Sequence, residues 1–393
     1  MTGKSSPALR AAFAGFCAMA LAMGLGRFFY TPVLPPMLEA GRITASEGGL
    51  AAGANFLGYL LGALAASLPR FSAQRYRWMA WLALPACGMT LLLSGLWLGF
   101  IPFSVIRFAG GVASAFSMIF ISAIVMRIFQ ENDRPGLIAI HFAGVGFGIV
   151  VAATIVPLMT SGGHAWSMMW YAAGATALVL WLVTLTLLPA SAAGSEPLPH
   201  ASEGGTSGEE AFSAAFWALL IGYGFFGFGY SVSATFLNTI AKADPVLEPA
   251  EPFVWFAVGL AGIPSVWAWN RLTTRIGLAY TYSIACVVEA AGILVLLWHA
   301  TPATLLISGA TLGATFMAVT ALGLAKARSM ATHKAAAALA LMTASFGLGQ
   351  MIGPVLAGFL FESSGTFTLA LTAAIVALAV AIVLTLLSKR LEV

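Results

Sequence analysis

The 393-residue sequence predicts an all-α membrane protein of twelve transmembrane helices in two six-helix pseudo-repeats. Three observations carry that expectation. Only 8% of the residues are charged, against about 25% in a soluble domain that must face water over its whole surface. The apolar residues, 60% of the total, gather in runs longer than the ~18 residues that mark a membrane-spanning helix. Those runs also fall into two sets of six on either side of a polar stretch. A helix is the expected spanning form, because it satisfies its backbone donors and acceptors within itself. The 42 glycines suit close helix contacts in lipid.

Hydropathy places the runs at roughly 11–34, 47–69, 78–95, 99–126, 136–159 and 166–188. They resume at roughly 213–238, 252–270, 278–299, 302–325, 335–360 and 366–387. The chain therefore divides into halves 1–188 and 212–393. Between them, 189–211 is rich in Ser, Gly, Pro and Glu and cannot bury enough apolar surface to fold, so it reads as a flexible linker. The first run is interrupted by Arg27 and lacks a small-residue cleavage site followed by a soluble domain. It does not read as a cleaved signal peptide.

Lysine and arginine set the orientation. With a cytoplasmic N-terminus, the inside segments hold Lys4, Arg10, Arg70, Arg75, Arg77, Arg127, Arg134, Arg271, Arg275, Lys326, Arg328, Lys334, Lys389 and Arg390. The outside loops hold only Arg42 and Lys242, while Arg27 and Arg107 lie within spans. Both termini are expected in the cytoplasm. The net charge of +4 is then a matter of orientation, and no nucleic-acid partner is expected.

Similar features recur about 200 residues apart. Gly24-Leu-Gly26-Arg27 late in the first span matches Gly227-Phe-Gly229-Tyr230 late in the seventh. Arg70 and Arg75 after the second span match Arg271 and Arg275 after the eighth. Glycine clusters mark the fifth span (Gly144, Gly146, Gly148) and the eleventh (Gly347, Gly349, Gly353). Parallel six-helix repeats place a binding site between the halves near the bilayer midplane.

On these residues the chain resembles the major facilitator superfamily over essentially its whole length. Gly24 to Pro32, with Gly227 to Tyr230 and Ala234-Thr235-Phe236-Leu237, resemble the bacterial YbfB/YjiJ-like branch. Arg107-Phe-Ala-Gly110-Gly111 resembles the fourth-helix motif, and Phe346-Gly347-Leu-Gly349-Gln350-Met-Ile-Gly353-Pro354 the Gly-Pro motif. The loop motif after the second helix departs: counting from Gly62, its Asp position holds Ala66, and only the basic cluster Arg70, Arg75, Arg77 remains. The resemblance implies secondary transport by alternating access, with helices one, four, seven and ten lining the cavity. It also implies a gating or packing role for Gly110, Gly111, Gln350, Gly353, Pro354, Arg70, Arg75, Arg271 and Arg275.

A charge in mid-membrane costs at least ~2.5–3.5 kcal/mol on insertion scales, so each such residue needs a reason. Arg27 and Arg107 lie about 6 and 7 Å outward of their span centres at 1.5 Å per residue. Apart from Glu47 at the very edge of the second, the first six runs hold no carboxylate to neutralise them. The expectation is an anionic substrate, such as an organic carboxylate, held by guanidinium forks; alternatively, Arg107 bonds backbone carbonyls and tunes packing. Tyr30, Asn55 and Tyr230 fall at a similar depth and could add hydroxyl or amide contacts, unless the tyrosines belong to the interfacial belt. The second half is expected to add mainly Tyr223, Tyr230, Thr311 and Thr315. Gln350 suits a helix-to-helix hydrogen bond.

Glu289, in the ninth span, and His141, in the fifth, are the candidates for proton coupling, each with a plainer reading as a packed, hydrogen-bonded group. Cys17, Cys87 and Cys286 sit at unrelated spacings and the five histidines are scattered, so neither a disulfide nor a metal is expected. The glycine clusters lack dinucleotide or phosphate-loop spacing, so no cofactor is expected either. Gly58 with Gly62, and Gly349 with Gly353, have the four-residue spacing of close helix crossings. An enzyme would need a clustered acid, base or metal set, which the sequence does not show. Two further readings stay open: an efflux pump for hydrophobic or cationic drugs, which would more naturally carry a cavity acid, and a non-transporting sensor or scaffold. A monomer is expected.

Overall fold

The structure is a computed structural model describing residues 6–66, 68, 76–189 and 212–392, with the side chain of His333 left aside. Arg70, Arg75 and linker residues 190–211 lie outside the described residues. Twelve helices follow one another: α1 (Pro7–Glu39), α2 (Ala45–Ala66), α3 (Tyr76–Ser94), α4 (Phe100–Glu131), α5 (Ile138–Ser161), α6 (Trp166–Leu187), α7 (Ala214–Ala243), α8 (Glu251–Ile276), α9 (Leu278–Trp298), α10 (Pro302–Met330), α11 (Ala335–Ser364) and α12 (Thr368–Arg390). Eleven are long and apolar enough to cross a membrane; α3 carries Arg77 and Pro85 and falls short of that apolarity. Among the described residues there is no strand. Large apolar side chains point outward, as Ile101 (75% exposed) and Trp298 (85%) do. In water such a surface would aggregate; in a bilayer it is solvated.

The helices outrun the apolar stretches. α4 continues through Arg127, paired with Glu131 at 2.8 Å, and α11 continues through Glu362 to Ser364. Charges end a hydropathy run, but they do not end a helix whose backbone bonds are already formed. Local chemistry sets several ends. Ser213 caps α7 by accepting from the Phe216 N–H, and Thr301 and Thr304 form a reciprocal capping box before Pro302 at the start of α10. Gly365, at φ 71°, closes α11 in the left-handed conformation that glycine adopts without strain.

Packing repeats with a six-helix period. Within the first six helices α1 packs on α5 and α6, and α2 on α4; in the last six α7 packs on α11 and α12, and α8 on α10. The two sets meet along α2–α11 and α5–α8, which exchange under a shift of six. Short 3-10 turns precede both α5 (Pro135–Leu137) and α11 (Thr332–Lys334), which also correspond under that shift. The α2–α4 crossing is close because Gly58 takes the backbone of Phe108 where a Cβ would stand, and Gly111 takes that of Asn55. In the last six helices Gly349 and Gly353 take the backbones of Gly224 and Phe228 on α7 in the same way.

α1 is not the uniform span that its apolar run predicts. It is α-helical over Pro7–Met19, widens to a π-helix over Ala20–Leu25, passes through a turn, and resumes over Tyr30–Glu39. Gly26 N–H bonds Leu21 C=O at 2.7 Å and Phe28 N–H bonds Met23 C=O at 3.1 Å, both i to i−5. Two causes are local: Pro32 has no N–H to give to Phe28, and Gly24 lies against Gly148 of α5, which holds the widened turn close. π-bulges of this kind concentrate at functional sites. This one carries Arg27.

Candidate functional site

Arg27 leaves the break in α1 and crosses to the other six helices. It is 5% exposed. Its Nη2 donates to Gln350 Oε1 on α11 at 2.9 Å, and Gln350 Nε2 donates in turn to the Tyr230 hydroxyl on α7. The guanidinium also faces the rings of Tyr59, Phe56 and Phe28 at 4.1, 4.8 and 5.7 Å. Its Nε is buried with no hydrogen-bond partner among the described residues. A full positive charge is thus held at the seam by a neutral amide and by aromatic faces, each favourable for a cation. Pro354, one turn beyond Gln350, lacks the N–H that would bond the Gln350 carbonyl.

Arg107 is equally buried, 3% exposed, but it turns inward among the first six helices. Its guanidinium faces Tyr30 of α1 at 4.6 Å and Trp170 of α6 at 5.7 Å. Among the described residues the two arginines share no hydrogen-bond or ring partner. Asn55 Nδ2 donates to the Arg107 carbonyl at 2.8 Å, strapping α2 to α4, and Asn55 Oδ1 is buried without a partner. Gly110 and Gly111 lie beside this strap. Tyr30 is buried and donates to the Gly48 carbonyl at 2.9 Å, so neither it nor Tyr230 belongs to an interfacial belt. The lengthened helices add Glu39 and Glu131 to Glu47 in the first six. None of them is within ion-pair distance of Arg27 or Arg107 among the described residues.

Several predicted residues lie away from this centre. Thr315 Oγ1 donates to Glu289 Oε2 at 2.8 Å, and Thr311 packs against Gly292, so both threonines face α9. Glu289 Oε1 is buried with no hydrogen-bond partner among the described residues. His141 Nε2 lies 2.9 Å from Ser122 Oγ, while its ring fills the space beside Gly15. Tyr223 donates to the Thr320 carbonyl at 2.9 Å. Arg271 and Arg275 line a cleft of about 490 Å³ with Ile138, Ala139 and Trp267, between the start of α5 and the end of α8. Lys326, read from sequence as a loop charge, is buried and paired with Glu392.

The face opposite the termini is sealed between the two sets of helices. Thr31 donates to the Ala234 carbonyl, and Lys242 pairs with Glu39 at 3.3 Å and with Glu248 at 2.7 Å. Glu362 of α11 accepts from the Ser46 N–H at 2.9 Å and from its hydroxyl at 2.7 Å, capping the N-terminus of α2 from 316 residues away. Sequence reading missed this latch and the rings around Arg27. The aromatics were visible in the quoted motifs, as Phe28 and Phe346, but nothing local signalled that they converge.

A family described as "Uncharacterised MFS-type transporter YbfB" matches residues 19–386. The chain belongs to this family of major facilitator superfamily (MFS) transporters. A Bacillus subtilis (strain 168) relative, "Uncharacterized MFS-type transporter YceJ", is 24% identical over 358 residues, 90% of each chain. Among solved structures, the nucleoside transporter NupG superposes with a TM-score of 0.70 at 15% identity, over 98% of this chain and 99% of that one. A bacterial homologue of the human lysosomal transporter Spinster, inward-facing and occupied, gives 0.63 at 17% identity over 98% of each chain. At those identities the likeness is one of fold. As a multi-pass MFS-type transporter the protein handles a small molecule.

Proposed function

We propose that this transporter carries a small organic anion, such as a carboxylate, across the bacterial inner membrane by alternating access, with both termini in the cytoplasm. One observation carries the anion reading: Arg27 is buried at the seam with no carboxylate of the described residues in ion-pair reach, and its hydrogen bond goes to a neutral amide on the opposite side. An uncompensated guanidinium in that position is costly unless an anion joins it during the cycle. Arg107 adds positive potential behind Tyr30 without direct contact to the substrate. A site of this sign repels cationic drugs.

The conformation fits one end of such a cycle. The face with the Ser46–Glu362 and Lys242–Glu39 contacts is closed, and the cleft lined by Arg271 and Arg275 lies toward the termini. With the termini cytoplasmic, the closed face is the outer one, and Arg27, Gln350 and Tyr230 are themselves buried, so the substrate site is shut in this state. Arg271 and Arg275 then stand where they draw an anion toward or away from the cytoplasmic mouth. Glu289 and His141 serve as packed polar groups on this reading, because both bond to neighbouring helices and neither reaches Arg27.

The test is flux in proteoliposomes. Purified protein should exchange a labelled carboxylate with unlabelled carboxylate across the membrane, and Arg27→Ala should abolish the exchange. Exchange of amines in preference to carboxylates contradicts the anion reading. Ligand binding without any flux contradicts transport.

A further inference from the structure

The groups around Arg27 also bear on the shape of the substrate. On the α7, α10 and α11 side five rings form a ladder of nearly parallel faces. Tyr230 lies 5.7 Å from Phe346 with 4° between the planes, 6.0 Å from Phe316 with 12°, and 5.4 Å from Phe226 with 20°. Tyr223 continues the ladder, 4.9 Å from Phe346 at 22°. Single pairs stack elsewhere, as Phe361 with Phe367 at 20° and Phe212 with Phe216 at 22°, but around Arg107 the rings meet at steeper angles, Phe29 with Trp170 at 67° and Tyr30 with Trp170 at 35°. Buried aromatic pairs adopt either offset-stacked or edge-to-face geometry. Faces held this nearly parallel suit stacking against a flat molecule more than against a bulky one.

The edge of that ladder touches the charge. Gln350 places a planar amide between the Arg27 guanidinium and the Tyr230 hydroxyl. An amide and a carboxylate have the same flat, three-atom head, and the amide oxygen already accepts from Arg27 as a carboxylate oxygen would. Gln350 therefore occupies the place of a substrate head group whose body would lie along the rings.

We propose that the substrate class is the planar aromatic carboxylates. The carboxylate displaces the Gln350 amide from Arg27, and the ring lies parallel to Tyr230 and Phe346. This rests on the anion reading above and narrows it. The rings are buried in this conformation, so the substrate enters as the helices part.

Four probes on the purified protein separate the components, with calorimetry as the readout: benzoate, cyclohexanecarboxylate, benzamide and uridine. Benzoate should bind at least tenfold tighter than cyclohexanecarboxylate, which has the same head but no flat ring. Benzamide and uridine, flat but uncharged, should bind at least tenfold weaker than benzoate. In Phe346→Leu the benzoate preference over cyclohexanecarboxylate should fall toward one, with the alicyclic acid unchanged. Equal binding of the two acids overturns the aromatic inference and leaves the anion reading standing. Benzamide or uridine binding as tightly as benzoate overturns the anion reading itself. Binding of none of the four overturns the inference as well.

Discussion

The Ser46–Glu362 contact makes a prediction about conformational balance that does not depend on knowing the substrate. In Glu362→Gln the side chain keeps its length and one acceptor oxygen. It loses the charge, and it turns an NH2 group toward one of the two Ser46 donors, which bond the two carboxylate oxygens at 2.9 and 2.7 Å. A hydrogen bond to a charged group contributes about 1.5–3 kcal/mol, and a carboxylate at a helix N-terminus about 0.3–1 kcal/mol. Glu362 is exposed, so solvent screening reduces both. The net loss is roughly 1–1.5 kcal/mol, a shift of about five- to tenfold in the ratio of closed to open states of the face opposite the termini. Spin labels at His164 and Thr366, in the α5–α6 and α11–α12 connections on that face, report the separation by pulsed electron resonance. Cys17, Cys87 and Cys286 are replaced beforehand. The longer-distance population should grow by that factor in Glu362→Gln. An unchanged distance distribution, or a shift toward the shorter one, refutes the idea that this carboxylate holds the face shut.

Three other perturbations follow from the packing and the buried polar groups. Gly58→Val sets a branched side chain against the Phe108 backbone and should cost ~1–3 kcal/mol by overpacking, read as a lower melting temperature in detergent; an unchanged melt means the α2–α4 crossing is looser than described. Asn55→Ala removes the bond to the Arg107 carbonyl and should cost ~0.6–1.7 kcal/mol of stability, with carboxylate affinity changed by less than about threefold. A tenfold loss of affinity would instead put Asn55 on the substrate. Glu289→Gln keeps the volume and the bond from Thr315, so folding and exchange should persist. If accumulation driven by a pH gradient disappears while exchange remains, Glu289 is a proton carrier and its packing role is secondary.

Hydropathy alone located all twelve helices, α3 included though it falls short of the apolarity of the other eleven, because lipid admits so few ways to hide a backbone. The glycine spacings at Gly58 and Gly349 were legible for the same reason: close crossings need a missing Cβ wherever two backbones meet. The break in α1 was not legible. Its apolar run is interrupted only by Arg27, and the widened turn depends on Pro32 and on the approach of Gly148 from α5. Arg27 was visible as a charge out of place, but its partner was not. Gln350 lies 323 residues away, and nothing near either residue states the pairing. Arg107 shows the converse: equal depth in the sequence count gave no hint that it turns toward Tyr30 and Trp170 and away from the seam. Glu362 was hidden by its position, since a carboxylate beyond an apolar run reads as the solvated end of a helix.

The account stands or falls on Arg27 as the group that meets the substrate. The most direct measurement is the thermal stabilisation of purified protein across a panel of carboxylates, sugars, amines and drugs, repeated in Arg27→Lys and Arg27→Ala. Carboxylates alone should stabilise the unaltered protein. Lysine keeps the charge but loses the fork and the ring contacts, weakening the half-maximal concentration by about ten- to hundredfold, and alanine should remove the response. Undiminished carboxylate stabilisation in Arg27→Ala, or stabilisation of the unaltered protein by amines and not by acids, would contradict it.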